Sequence, residues 1–282
     1  MDTEILKVER LKKSFGKTEV LHGVDFSVNV GEVYGLVGQN GAGKTTLLRL
    51  IAGLMKPTTG VIDCHISKKY IGYMPQSCRF DGMQTVAGTI RFFAALRNTK
   101  EQDSLHLCQK LELDTSKRVK YLSPGQQKKL QMVIAMTGDP DFYILDEPTA
   151  GLDPSASHEM NKLIQELHQQ GKSILISSHI LQDMDNICTN VAIMENGRLI
   201  YDRQIENSYI IETSTVPDEL FTKLAQRFSL SSNQERTLLH VKSDRDGVAA
   251  LIGVLASNSV LVYEAVHSNV KNVVEEQLHM DS

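Results

Sequence analysis

The sequence predicts an α/β protein: a parallel sheet with helices and a helical subdomain, preceded by an antiparallel β region and followed by a small α+β domain. Three observations support this prediction. A glycine-rich loop joins a strand to a helix at residues 38–46, a strand-helix-strand pattern spans residues 142–177, and the composition shifts after about residue 204. The chain has 282 residues, 41% hydrophobic and 23% charged, which is typical of a globular protein of about two domains.

The first part of the chain is predicted to be antiparallel β structure. Leu6–Leu11 and Phe26–Val30 alternate apolar and polar residues, and Ser14–Gly16 supplies a glycine-containing turn. Further along, Lys56–Gly60 reads as a turn that leads into a short strand at Val61–Asp63.

The segment Gly38–Thr46 matches the phosphate-binding pattern G-x-x-x-x-G-K-[ST]. The apolar run Val33–Val37 before it reads as a strand and Leu47–Ile51 after it as a helix, which is the context that phosphate binding requires. Backbone N–H groups of the loop would approach the phosphate oxygens. The sequence therefore predicts a P-loop NTPase core whose nucleotide-binding residues are Gly38, Asn40, Gly41, Ala42, Gly43, Lys44, Thr45 and Thr46. Lys44 would reach the β- and γ-phosphates, and the Thr45 hydroxyl would bind Mg²⁺.

The middle of the chain alternates helical and strand patterns. Apolar spacing predicts helical structure from about Thr85 to Leu113 and from Gln126 to Met136. The β-prone runs Phe142–Leu145 and Ser173–Ser177 flank a predicted helix over Ala156–Gln169, which implies parallel strands. A hairpin with an Asn-Gly turn follows at residues 191–201.

Two acidic residues end the apolar run Tyr143–Leu145, and they complete the predicted site. Parallel strands expose functional side chains at their carboxyl ends, so Asp146 and Glu147 are expected beside the phosphate loop. We predict that Asp146 binds Mg²⁺ and that Glu147 polarises the attacking water.

The residues after the hairpin predict a separate accessory domain. The predicted elements are strands at 209–211, 237–241 and 260–263, helices at 219–228 and 247–256, and a last helix that ends near Leu278. Such a segment is large enough to form its own core. The predicted domains are therefore residues 1–204, an ATPase domain, and residues 205–282, a small α+β domain.

Composition excludes several classes of protein. The net charge of −4 argues against a general nucleic-acid-binding protein and a polybasic membrane anchor. The longest apolar run, Val248–Ala256, is far shorter than the roughly 18 residues that a membrane span needs. The charged start is unlike a signal peptide, and the four cysteines are scattered, so we expect a reducing cytoplasm without disulfides or a cysteine metal site.

Together with further motifs, these residues resemble the ATPase subunit of ABC transporters. Tyr73–Gln76 is similar to the glutamine loop of that family, and Leu122–Gln126 is similar to its LSGGQ signature. Ala150–Asp153 resembles the D-loop, and Ser177–His179 the switch-histidine segment. The motifs occur in the family's order over residues ~5 to 202.

The resemblance implies a head-to-tail homodimer that binds two ATP molecules. Each ATP would lie between the phosphate loop of one subunit and the signature of the other, contacted there by Ser123 and Gly125. The start of the helix after the signature is a physically suitable anion site. Asp153 would link the two ATP sites across the interface.

The resemblance also implies roles for single residues. Phe15 would stack on the adenine, His179 would contact the γ-phosphate, and Gln76 would join the catalytic residues. Gln76 would also share the Mg²⁺ with Thr45 and Asp146.

The signature departs from the family pattern at one position, where Pro124 replaces the first glycine. Proline has no N–H to donate to a phosphate, although its fixed φ suits the first turn of a helix. Because the family's phosphate contacts come mainly from the serine and the second glycine, we predict a working but slower site.

The sequence is most similar in style to ATPases of bacterial exporters for drugs, antibiotics or peptides, whose permease is a separate chain. Residues 77–86 follow the glutamine loop and would receive the permease at the inner face of the cell membrane. An ATPase of a nutrient importer remains an alternative, as does a soluble, non-transport ABC ATPase such as an iron–sulfur assembly scaffold. The substrate is not encoded in this chain.

Overall fold

A computed structural model describes residues 4–67, 70–180, 184, 187–204, 208–243 and 245–268. The chain divides into two compact units, Met1–Gln204 and Ile205–Ser282. Each unit has its own cluster of buried apolar side chains.

The strands of the first unit are β1 (Glu4–Phe15), β2 (Thr18–Asn29), β3 (Val33–Val37), β4 (Thr59–Cys64), β5 (Ile71–Met74), β6 (Phe142–Asp146), β7 (Ser173–Ser178), β8 (Asn190–Glu195) and β9 (Arg198–Gln204). Its α-helices are α1 (Lys44–Ile51), α2 (Val86–Arg97), α3 (Glu101–Lys110), α4 (Pro124–Met136) and α5 (Pro154–Gln169).

A six-stranded sheet with the order β5-β6-β7-β3-β8-β9 forms the centre of the first unit. The first five strands in this order are parallel, and β9 pairs antiparallel with β8 at the edge. Every residue of β3, β6 and β7 is buried, which explains their continuous apolar runs. The predicted parallel pair and the predicted hairpin are both confirmed. The carboxyl ends of β3, β6 and β7 meet at one edge.

A second, antiparallel sheet of the first unit has the order β2-β1-β4. Its predicted strands are confirmed, and Gly16 forms the turn between β1 and β2 with a φ of 60°. Buried residues such as Leu6 and Val28 of this sheet belong to one apolar cluster with Leu47 of α1 and Tyr34 of β3. This cluster fixes the strand and the helix that flank the phosphate loop.

The helical structure expected from about Thr85 to Leu113 is confirmed, and it consists of two helices, α2 and α3. The break follows Asn98, which ends α2 in the left-handed conformation with a φ of 55°. Asparagine tolerates that conformation better than most residues do. Among the described residues, no helix combines the length and apolarity needed to cross a lipid bilayer.

The second unit contains β10 (Ser208–Thr213), α6 (Asp218–Arg227), β11 (Ser229–Ser232), β12 (Leu238–Lys242), α7 (Arg245–Ser257) and β13 (Val262–Ser268). The sheet order β11-β12-β10-β13, antiparallel throughout, is that of the β-α-β-β-α-β ferredoxin-like arrangement. The strand predicted at 260–263 begins two positions later than expected, because Val262 is the first residue to pair with β10. The predicted last helix lies outside the described residues.

Candidate active site

The phosphate loop connects the buried strand β3 to α1 and needs glycine at two positions for different reasons. At Gly38, a Cβ atom would lie 2.3 Å from the carbonyl oxygen of Met194. At Gly43, the φ of 108° is left-handed, and a Cβ would also lie 2.9 Å from Leu21. The neighbouring strands therefore hold the loop in a shape that side chains at these positions would break.

Lys44 is the first residue of α1, and its side chain folds back over the loop. The Nζ atom donates to the carbonyl oxygens of Gly38 at 2.5 Å and Gln39 at 3.1 Å. It also lies 3.5 Å from Oε1 of Glu147. The ammonium group is thus enclosed between the loop and the acidic end of β6, where it can meet an anion.

A cavity of about 380 Å³ opens at this edge of the sheet. Its lining combines loop residues with the glutamine and the glutamate predicted from the motifs, namely Val20, Asn40, Gly41, Gly43, Lys44, Thr45, Thr46, Gln76 and Glu147. A larger cavity of about 500 Å³ is lined by residues of α3, α4 and α5 and contains none of the predicted site residues. The chemistry of the lining residues therefore favours the smaller cavity as the phosphate-binding site.

Asp146 ends β6 and is completely buried. Its Oδ1 atom accepts from Ser177 Oγ at 2.7 Å and from Thr45 Oγ1 at 3.3 Å. Its Oδ2 atom has no hydrogen-bond partner. A buried carboxylate oxygen without a partner, beside a threonine hydroxyl, suits a hard cation such as Mg²⁺, so the residues present fit this metal.

Glu147 follows β6 directly and has a left-handed φ of 52°. This uncommon conformation turns the side chain into the cavity, where its exposed fraction is only 3%. Oε2 lies 2.5 Å from Nδ1 of His179, and Oε1 faces Lys44. The carboxylate is therefore held in one orientation by groups at both of its oxygens.

Of the predicted residues outside the cavity lining, Gly38, Ala42, Asp146 and His179 belong to the loop and strand ends described above, and three others lie at the beginnings of two helices. The Ser123 hydroxyl caps α4 by accepting from the Gln126 N–H at 3.2 Å, and Asp153 caps α5 by accepting from the Ala156 N–H at 2.9 Å. A Cβ on Gly125 would lie 3.9 Å from Ala156, so the two helix beginnings are neighbours. The structure therefore forms two separate clusters of predicted site residues within one chain.

Phe15 also lies outside the cavity lining. It ends β1 at an exposed position, and the Nζ atom of Lys13 lies 5.1 Å from the centroid of its ring. An exposed aromatic ring of this kind is available for stacking.

Sequence reasoning missed two residues of the site. The switch-histidine motif gives Ser177 no role of its own, yet its hydroxyl donates to Asp146 and accepts from the Glu147 N–H at 3.0 Å. The sequence feature that could have identified Ser177 is its position near the carboxyl end of the apolar strand β7. Lys128 had no signal, because its position in α4 reads as a surface lysine, but its amino group is buried and bonds to Gln76 and Glu147.

Comparisons with known proteins agree with this geometry. A family model described as ABC transporter matches residues 21–150. An uncharacterised ABC transporter ATP-binding protein of Methanocaldococcus jannaschii is 36% identical over 208 residues, which cover 72% of this chain and 78% of that protein. A Nod factor export ATP-binding protein I of Cupriavidus pinatubonensis is 31% identical over 279 residues, covering 89% of this chain and 85% of that protein.

A solved structure described as the ATP-binding subunit of an ABC transporter has a similar fold. It superposes with a TM-score of 0.65 at 30% identity and covers 71% of this chain and 90% of that chain.

Proposed function

Since the chain belongs to the ABC transporter ATP-binding proteins, we propose that it works as an ATPase homodimer that powers a separate export permease. Binding and hydrolysis of ATP follow from the family. The head-to-tail dimer, the roles of single residues, the permease and the direction of transport are our proposal.

The two clusters of site residues carry this proposal. Lys44 and Glu147 line one cavity and His179 contacts Glu147, whereas Ser123 caps α4 outside the lining of that cavity. The beginning of a helix attracts anions through its free N–H groups and its partial positive charge. The exposure of Ser123 on its own chain supports the proposal that it binds the phosphate held by a second copy. Two copies placed head to tail complete two such sites.

Glu147 is the proposed acceptor of the proton from the attacking water. Lys44 and His179 hold its two carboxylate oxygens, so the carboxylate is oriented before water arrives. Lys44 neutralises charge on the β- and γ-phosphates, and His179 contacts the γ-phosphate. Thr45, Asp146 and Gln76 would hold Mg²⁺, which supplies positive charge to the phosphates.

The adenine and the interface complete the proposed assignments. Phe15 stacks on the base, and Gly38, Asn40, Gly41, Ala42, Gly43 and Thr46 surround the phosphates. Gly125 has no side chain, so the start of α4 can approach the phosphate bound by the other copy. Asp153 links the two ATP sites across the dimer interface. The exposed position of Phe15 and the capping position of Asp153 support these roles.

A cluster of aromatic residues that follow Gln76 in the sequence is the proposed permease contact. Phe80 packs edge-on against Phe93 at 6.0 Å, and Phe92 packs against the same ring at 5.4 Å. Phe92 and Met83 are exposed by 59% and 61%. Large apolar side chains that remain exposed mark contact sites, so we place the permease here and the chain at the inner face of the membrane.

Export is favoured over import by the name of the Cupriavidus relative, whose similarity extends over 89% of this chain. ATP-driven uptake into inverted membrane vesicles with the cognate permease tests the direction. Uptake shows export, whereas a requirement for an external substrate-binding protein shows import.

Residues 205–282 are proposed to be an accessory domain appended to the ATPase domain of residues 1–204. The separate apolar core supports this division, since Leu239, Val241 and Leu251 are completely buried within the second unit. A chain that ends at residue 204 should keep ATP hydrolysis. Loss of ATP binding in that chain would contradict the proposed boundary.

Glu147→Gln tests the function as a whole. With Mg²⁺ and ATP, this variant should elute as a dimer and hydrolyse ATP about 100-fold more slowly than the wild type, because the amide cannot accept the proton. Glu112→Gln is the matched control, since Glu112 is exposed and also has a left-handed φ, of 53°. Hydrolysis at the wild-type rate in Glu147→Gln, or no ATP binding by the wild type, would refute the proposal.

A further inference from the structure

Lys128 is a buried cation that bonds to main-chain atoms on two sides. It lies on the second turn of α4, and its exposed fraction is 8%. The Nζ atom donates to the carbonyl oxygen of Gln76 and to the carbonyl oxygen of Glu147, each at 2.9 Å. One ammonium group thereby joins α4, the segment after β5 and the end of β6.

Burial of an ammonium group is unfavourable unless its environment compensates for the lost water. Burial lowers the pKa of Lys128, while the negative charges of Asp146 and Glu147 oppose this shift. Two carbonyl oxygens at hydrogen-bond distance replace the lost water contacts. The neighbouring Lys129 is less buried and its ammonium group has a different partner, the carboxylate of Glu159.

The two carbonyl groups belong to residues whose side chains line the ATP cavity. Glu147 has a left-handed φ of 52°, which is uncommon for a non-glycine residue. Its N–H donates to Ser177, and its carbonyl oxygen accepts from Lys128 and from the Ala150 N–H. Ser177 and Lys128 therefore hold the N–H and the carbonyl group on the two sides of the Glu147 Cα atom.

We propose that Lys128 is a positioning residue for ATP hydrolysis: by holding the carbonyl groups of Gln76 and Glu147, it aims both side chains at the γ-phosphate and ties them to the signature helix. This inference rests on the proposed function. The same helix begins at Ser123, which in the dimer contacts the ATP of the other copy. A movement of the signature residues at the start of α4 would thus be transmitted through Lys128 to Glu147 of the same chain.

Lys128→Met removes the ammonium group and keeps a side chain of similar length. We expect kcat for ATP hydrolysis to fall about ten- to a hundredfold, because a small displacement of the base is enough for such a loss. The KM for ATP and the affinity for a fluorescent ATP analogue should change by less than about threefold, since Lys44 and the loop are untouched. Lys128→Arg keeps two donors and should recover most of kcat.

Lys129→Met is the matched control, because Lys129 lies on the same helix but pairs with Glu159 of α5, 2.6 Å away. It should hydrolyse ATP like the wild type. Wild-type kcat in Lys128→Met would overturn the proposal, as would a loss of ATP affinity that matches the loss of kcat. If Lys128→Met does not fold, Lys128→Gln replaces it under the same criteria. A wild-type chain that does not hydrolyse ATP would refute the proposed function instead.

Discussion

Nδ1 of His179 lies 2.5 Å from Oε2 of Glu147, although 32 positions separate the two residues. Their contact follows from the sheet, because β6 and β7 are parallel neighbours and both residues follow the carboxyl ends of these strands. Lys44 approaches the other carboxylate oxygen, at 3.5 Å. The glutamate is therefore oriented by residues from two separate segments, one after β7 and one at the start of α1.

His179→Ala should lower kcat about 100-fold while ATP binding remains, because the glutamate loses one of the two groups that orient it. Steady-state hydrolysis and equilibrium binding of ATP measure the two effects separately. The exposed His158 supplies a control, and His158→Ala should behave like the wild type. Equal kcat in both variants would show that the contact between His179 and Glu147 has no catalytic role.

Asp146→Asn should raise the Mg²⁺ concentration needed for half-maximal hydrolysis by about tenfold or more, since an amide is a weaker and uncharged ligand. A Mg²⁺ titration at fixed ATP measures this change. Asp141→Asn is the control, because Asp141 directly precedes the same strand and pairs with Lys172 at 3.2 Å, away from the loop. An unchanged Mg²⁺ requirement in Asp146→Asn would remove Asp146 from metal binding.

Pro124→Gly should reduce stability and speed the reaction. Pro124 is the first residue of α4, where its fixed φ favours the helix, so glycine should cost about 1 kcal/mol of unfolding free energy. Glycine also adds an N–H at the signature, and we expect a kcat higher than that of the wild type.

Pro124→Ala distinguishes these two effects, because alanine restores the N–H without the flexibility of glycine. Thermal unfolding and steady-state hydrolysis of all three proteins provide the comparison. If neither variant exceeds the wild-type kcat, the missing N–H does not slow this site.

The free energy of unfolding of Glu32→Gln, relative to that of the wild type, should increase as pH rises. Burial raises the pKa of Glu32 above its usual value, although the Asn29 N–H donates to Oε2 at 2.6 Å. Between the usual and the raised pKa, the folded chain keeps a proton that the unfolded chain has lost. The stability of the wild type therefore falls as pH rises through this window, and the glutamine variant lacks that loss.

Urea unfolding at about pH 5 and about pH 8 measures this difference. Glu32 precedes β3, at the end opposite the phosphate loop, so the ATPase activity should not change. A stability difference that is equal at both pH values would contradict the prediction.

Much of the fold can be predicted from the sequence because the patterns that specify its strands and turns are local. The continuous apolar runs of β6 and β7 and the Asn196-Gly197 turn predict their own conformations without knowledge of their neighbours. Two short strands escaped prediction for the opposite reason. β5 has four residues including a glycine, and β11 is Ser-Leu-Ser-Ser, so each becomes a strand only by pairing with a longer neighbour.

The sequence by itself determined the phosphate loop, the acidic end of β6 and the order of the motifs, since each depends on residue types at short spacing. Only the tertiary structure decided that Ser177 bridges Asp146 and Glu147, and that Lys128 faces inward to two carbonyl groups. Every residue has a main-chain carbonyl group, so the residue type does not reveal which carbonyl oxygens will accept a hydrogen bond. A hydrogen bond from Lys128 to positions 19 and 52 residues away is therefore visible only when the segments are packed together.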